Sequence, residues 1–235
     1  MKCIKTKLTA VYVYTVSFTA ILFTLVFAIF PRSRKQFIKE NRFLEDATAY
    51  LFLLAFLVGI YMILKMRKSH FLKSYFIFPF LGLLGYLDEI SFGKKFFDIE
   101  QFPEISGVEF DGAHDIFALI YASVFKSGSY LPLIFICIFS LILIIGILKK
   151  IGNPILLFKK LFFKHPPFKF FIIFTLLLSV AVILDLHILG KNDYLSYVEE
   201  LTEFNTALAL LFGSIAIAQN AGCCSSEENL NEKGN

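Results

Sequence analysis

Long apolar runs separated by short charged clusters dominate this chain, and several runs reach the roughly 18–20 residues that a bilayer-crossing helix needs. The first, residues 8–30, stops at Pro31, where the chain turns polar. The second, about 47–64, is followed by Lys65, Arg67, Lys68, His70 and Lys73. The short polar link between the two predicts antiparallel neighbours. A third run starts near residue 71 and is uncharged over 74–87, only about 21 Å of helix. A bilayer core is thicker than that, so the same helix is predicted to continue to about residue 92, carrying Asp88 and Glu89 to membrane depth.

Residues 94–112 read as a loop, punctuated by Pro103, Gly107 and Gly112 and rich in acids. The apolar stretch between Asp115 and Lys126 is too short to cross and reads as a re-entrant or interfacial helix. A fourth span is predicted over 130–148. The segment 153–168 then mixes Leu and Phe with Lys159, Lys160, Lys164 and His165, the pattern of a basic amphipathic helix on the inner membrane surface, ended by Pro166 and Pro167. Fifth and sixth spans follow at about 169–188 and 200–219. The expected fold is therefore all-α: a polytopic transmembrane helical bundle of about six spans in a single domain, residues 1–224, with a disordered polar tail at 225–235. The basic amino end superficially resembles a signal peptide, but its apolar run is too long and no small-residue cleavage pattern follows.

Composition sharpens this reading. Hydrophobic residues make up 57% of the chain and charged ones 18%, with a mean hydropathy of +0.70, whereas charged residues form about a quarter of ordinary soluble domains. The formal charge of +4 does not point to nucleic acid, because the lysines and arginines sit in clusters between apolar runs. With six crossings, 14 of the 23 Lys and Arg fall on the side of both termini. That bias predicts an integral protein of the plasma membrane with both termini cytoplasmic, although the basic 32–42 loop runs against it. The four cysteines, at 3, 137, 223 and 224, have neither metal-ligand spacing nor a disulfide framework.

Crossing parity also sorts the polar residues. Glu89, the 94–112 loop, His114 and Asp115, Asp185 and His187, and Glu200 and Glu203 all fall toward the same face, while the cores of spans one, two and four hold no acid, base or imidazole. An acid facing lipid costs several kcal/mol, whereas one lining a wet cavity or bound to a cation does not. Glu89, His114, His187 and Glu203 therefore form the expected metal set, a donor mix suited to zinc, iron or manganese, with Glu200 and Glu89 as candidate catalytic acids or bases. Lys94 and Lys95 are candidates for an anionic lipid head group. Asp88, Asp111, Asp115 and Asp185 are secondary candidates: Asp111 shares a helical side with His114 and Asp115, and Asp185 is two residues from His187. Each has a structural alternative, such as a helix cap at Asp111 or a polar helix end at Asp88. Ser91 lacks a nucleophile elbow and reads as a local hydrogen-bonding residue.

The stretch Asp88-Glu89-Ile90-Ser91-Phe92-Gly93-Lys94-Lys95 resembles a group of bacterial polytopic membrane proteins whose pattern at this point reads Glu-Glu-Ile-Ser-Trp-Gly-Gln-Arg. In that group a His-Asn or His-Asp pair then opens a helix, and a Glu-x-x-Glu-like element opens the last one. The resemblance covers about residues 81–115 and 196–219 and implies Glu89, Ser91, Gly93, His114, Glu200 and Glu203 as shared positions. Asp88, Phe92, Lys94 and Lys95 depart from the pattern. The resemblance groups the polar elements and implies no particular reaction.

Three functions fit these residues. The first is a membrane-embedded metal-dependent hydrolase or lipid-modifying enzyme. The second is an ion- or proton-coupled transporter or channel using the acids as a relay. The third is a non-catalytic subunit of a membrane complex. The imidazoles among the carboxylates favour the enzyme.

Overall fold

The computed structural model describes residues 5–30, 34, 43–65, 75–90, 104–105, 108–109, 166–185 and 192–232. The chain divides into two units, residues 1–89 with 165–235, and residues 90–164. Among the described residues the first has five helices: α1 (Lys5–Ile29), α2 (Phe43–Lys65), α3 (Ile77–Glu89), α4 (Pro166–Asp185) and α5 (Asp193–Glu232). In the second, β1 (Glu104–Ile105) pairs antiparallel with β2 (Val108–Glu109), Ile105 opposite Val108. The expected loop at 94–112 thus holds a minimal ladder, and the Ser106-Gly107 link between its strands has the composition of a tight hairpin connection.

Four stretches among the described residues are long and apolar enough to cross a membrane: Lys7–Ile29, Phe43–Lys65, Pro166–Asp185 and Asp193–Ile217. They match the predicted first, second, fifth and sixth spans. The fourth span, the short helix after Asp115 and the amphipathic 153–165 segment lie outside the described residues.

Helix boundaries differ from the expected ones for local reasons. The third helix ends at Glu89, not near residue 92, so its 13 residues rise about 20 Å and its two acids close the helix instead of lying within it. Pro79 is tolerated because it sits in the first turn. Pro166 and Pro167 open α4 where they were expected to end the preceding segment; a first-turn proline sacrifices no intrahelical hydrogen bond. The last helix begins at Asp193, two turns before the expected residue 200, because Asn192 caps it: its Oδ1 accepts from Leu195 N at 2.8 Å. That helix also includes residues 225–232 of the predicted polar tail.

The last helix is the centre of its unit. Of its apolar stretch, 72% is buried, against 11% for α1, 33% for α2 and 22% for α4. It contacts all four other helices. Small residues line it: Ala207, Ala209, Gly213, Ser214 and Ala216 are all buried. Helices in lipid gain little from hydrophobic burial, so close backbone approach and occasional hydrogen bonds hold them together. Ser214 Oγ donates to Ala55 O at 3.0 Å, bridging α5 to α2, and Gly213 lies against the Phe78 ring of α3 and Cβ of Phe170 in α4. The α2–α3 seam uses the same device, with Gly59 beneath Pro79, Gly82 on the backbone at Phe56 and Gly85 on the Phe52 ring. Aromatic edges fill the α1 side, where Tyr12 meets Phe170 and Phe212, both at 5.3 Å, and Phe23 meets Phe204 at 5.3 Å. Such pairs contribute about 0.5–1.5 kcal/mol each beyond simple burial.

Gly82 gives the sharpest test of this packing. A Cβ there would lie 2.7 Å from Phe56 N and 3.0 Å from Phe52 O, main-chain atoms that cannot swing aside. Gly82→Ala is expected to destabilise the detergent-solubilised protein by about 1–3 kcal/mol, the usual range for overpacking, as read by thermal unfolding. Leu84→Ala, on a more exposed position of the same helix, is the control and should have the smaller effect.

Candidate functional site

Contacts along the seams fix the direction of each helix. Pairing of Gly59 with Pro79 and of Gly85 with Phe52 makes α2 and α3 antiparallel. Tyr12 meets Phe212 while Phe27 stacks on Tyr197, which makes α1 antiparallel to α5. Phe23 touches both Phe43 and Phe204, and Ser214 touches Ala55, so α2 runs parallel to α5. Phe170, in the first turns of α4, meets Phe212. One end of the bundle therefore gathers the carboxyl ends of α1, α3 and α4 and the amino ends of α2 and α5.

The acids collect at that end. Ala55, Phe78 and the Gly213–Ser214 step share one level through their contacts. From there to Glu45, Glu89 and Glu203 is ten or eleven residues along each helix, about 15–17 Å of rise. Glu89 is half-buried, and the carboxylates of Glu203, then Glu200, Asp88 and Glu45, lie near enough to repel its charge. Three helices thus supply the carboxylates that surround one another. Like charges at this range repel, and a cation or a shared proton relieves the repulsion.

Helix dipoles divide the group. Glu45 and Asp46 lie in the first turn of α2, where the positive end of the macrodipole favours a carboxylate. Glu89 closes α3 at its negative end, so its own helix gives its charge no support. Glu200 and Glu203 lie beyond the first turn of α5, where dipole effects have largely faded.

Of the residues expected from sequence, Glu89, Asp88, Glu200 and Glu203 are brought together. Asp185 is the last residue of α4, and only residues 186–192 separate it from the start of α5, so it belongs to the same end of the bundle. Asp111, His114, Asp115, His187, Lys94 and Lys95 lie outside the described residues. Among the described residues, no three His, Cys, Asp or Glu side chains form a group that could hold a metal ion. The described donors are carboxylates alone, without the imidazoles of the expected metal set.

Glu45 was missed because the second span was expected to start at residue 47, which left this glutamate in the preceding loop. The antiparallel packing of α2 on α3 brings it in, because the start of one helix of such a pair lies beside the end of the other. Asn205 is a different kind of polar group. It is buried, its Nδ2 donates to Leu201 O at 2.8 Å, and its Oδ1 takes no partner among the described residues. Two residues beyond Glu203, it is turned about 200° round α5, away from that glutamate.

The helices and their exposed apolar faces define a membrane-embedded all-α protein. No protein-family model, curated protein or solved structure matches the chain.

The electrostatic contact between α3 and α5 is measurable. In a double-mutant cycle of Glu89→Gln and Glu203→Gln in metal-free detergent, either substitution removes the same repulsion. The double variant should therefore gain less stability than the two single gains combined, with a coupling of about 0.5–3 kcal/mol in thermal unfolding. Simple additivity would mean that the two carboxylates do not interact.

Proposed function

We propose that this chain is a membrane-embedded metal-dependent hydrolase or lipid-modifying enzyme working at the acidic end of its bundle. The observation that supports this most is the convergence of Glu89, Glu200 and Glu203 from two helices at one end of the bundle. In this reading Glu89 and Glu203, with His114 and His187, would hold a divalent metal. Such an ion supplies Lewis-acid polarisation of a carbonyl or phosphoryl oxygen. Glu200, one helical turn from Glu203, takes the proton from the attacking water, and Lys94 and Lys95 receive the anionic head group. Glu45 of α2 adds negative charge from a third helix, which a bound cation would offset.

A relay through the membrane is less well supported. Among the described residues the buried polar side chains are Thr48, Asn205, Thr206 and Ser214, and Ser214 is committed to Ala55 O. They make no ladder of ionisable groups from the acidic end toward the opposite face, which a proton or ion pathway would use.

Metal analysis of the full chain, purified in detergent and reconstituted separately with zinc, iron or manganese, tests the enzyme reading. Wild type and Ser214→Ala should retain a stoichiometric metal, and Glu203→Ala and His114→Ala should lose it. Wild type that holds none of the three would overturn the proposal. Cation or proton flux in proteoliposomes that disappears in Glu203→Gln would replace it with the relay.

A further inference from the structure

At the same end of the bundle, but on another side of α5, a single arginine is mounted on an aromatic stack. Arg34 Nε donates to Phe27 O at 2.9 Å and Nη2 to Ala28 O at 3.4 Å, closing the carboxyl end of α1. Its guanidinium carbon lies 5.3 Å from the centre of the Phe27 ring. Tyr197 stacks on that ring at 4.3 Å and 17°, Tyr194 meets it edge-on at 5.8 Å, and Thr24 Oγ1 is 3.1 Å from Tyr197 Oη. The guanidinium is thereby held in one orientation at little further entropic cost. Its other amino group, Nη1, takes no partner among the described residues.

Two further features describe the surroundings of this cation. Tyr194 is 65% exposed, and Phe30, Phe43 and Tyr50 at the same end are exposed as well, an aromatic girdle of the kind that sits at head-group level. The chain around Arg34 is also basic, with Arg32, Lys35, Lys39 and Arg42 within the same short polar stretch. Glu203 is turned away from this position. Tyr194 and Glu203 are nine residues apart, about 180° round α5, so the helix itself separates the aromatic stack from the Glu89–Glu203 contact.

We propose that Arg34 and the Tyr194 hydroxyl form a docking point for the phosphate of an anionic phospholipid in the leaflet at this end of the bundle. Nη1 donates to a phosphate oxygen while the Phe27 face and the α1 carbonyls hold the rest of the guanidinium in place. The lipid site accounts for a basic loop on the face that positive-inside counting would leave poor in Lys and Arg. It is independent of the metal reading, since it uses none of the same residues.

The test is lipid retention by the full chain in nanodiscs of phosphatidylcholine with phosphatidylglycerol, read by native mass spectrometry. Wild type should retain phosphatidylglycerol preferentially, and Arg34→Gln should lower that preference about fivefold. Unchanged retention in Arg34→Gln would overturn the proposal. Should Arg34→Gln fail to fold for want of its helix-closing bonds, Tyr194→Phe carries the test: a severalfold loss supports the site and no change overturns it. Inorganic phosphate is the remaining probe. If it stabilises wild type in phosphatidylcholine alone as much as phosphatidylglycerol does, and loses that effect in Arg34→Gln, the ligand is a soluble phosphate and the lipid assignment fails.

Discussion

The close approach of main chains along α5 is the constraint on which the rest of this bundle depends. Lipid tails are as apolar as leucine, so a helix in a bilayer gains nothing from exchanging one for the other. It gains only where surfaces fit. Gly213 and Ser214 let α2, α3 and α4 reach α5 at one level, and Gly59, Gly82 and Gly85 let α3 lie on the α2 backbone. These contacts are short and specific in register. A slip of one residue would put a side chain where only hydrogen now fits.

Register is also what assembles the polar end. Because Ala55, Phe78 and Ser214 are level, the turns ten or eleven residues away are level too, and these hold Glu45, Glu89 and Glu203. Packing in the apolar half thus determines the electrostatics of the other half. The carboxylates do not stabilise the bundle by meeting; small residues elsewhere hold them together, and the repulsion makes the site receptive to positive charge. Both possible chemistries, a bound metal or a shared proton, draw on that one property.

Exposed side chains complete the physical picture. Val13, Phe18, Ile21 and Leu25 of α1, Leu54 and Leu57 of α2 and Leu176, Val180 and Ile183 of α4 are turned outward, as surfaces wetted by lipid chains are. Among the described residues, the central helix has the lowest hydropathy of the four span-length helices, 1.2, and the highest burial. Its alanines, serine and threonines are suited to touching protein, and it is the element least able to face lipid. At the acidic end, Tyr194 and Tyr50 mark the passage from apolar to polar surroundings, beside the turns that carry Glu45 and Glu200.

Apolar run length alone determined that this is a helical membrane protein, because a helix must bury every backbone polar group within the hydrocarbon and only long apolar runs can do so. The same runs placed α1, α2 and α4 to within a few residues and the core of α5, and parity along them put Glu89 with Glu200 and Glu203. Boundaries were less legible. Hydropathy counts residues, whereas Asn192, Pro166 and the end of α3 at Glu89 act through hydrogen bonds and backbone geometry. What only the tertiary structure decided is which faces meet. Glu45 joins Glu89 because glycines bring α2 and α3 together in one register, and Asn205 turns away because α5 shows its Ser214 face to α2. Rotation about a helix axis is invisible to composition, and it is set by which small residues find a backbone to rest against.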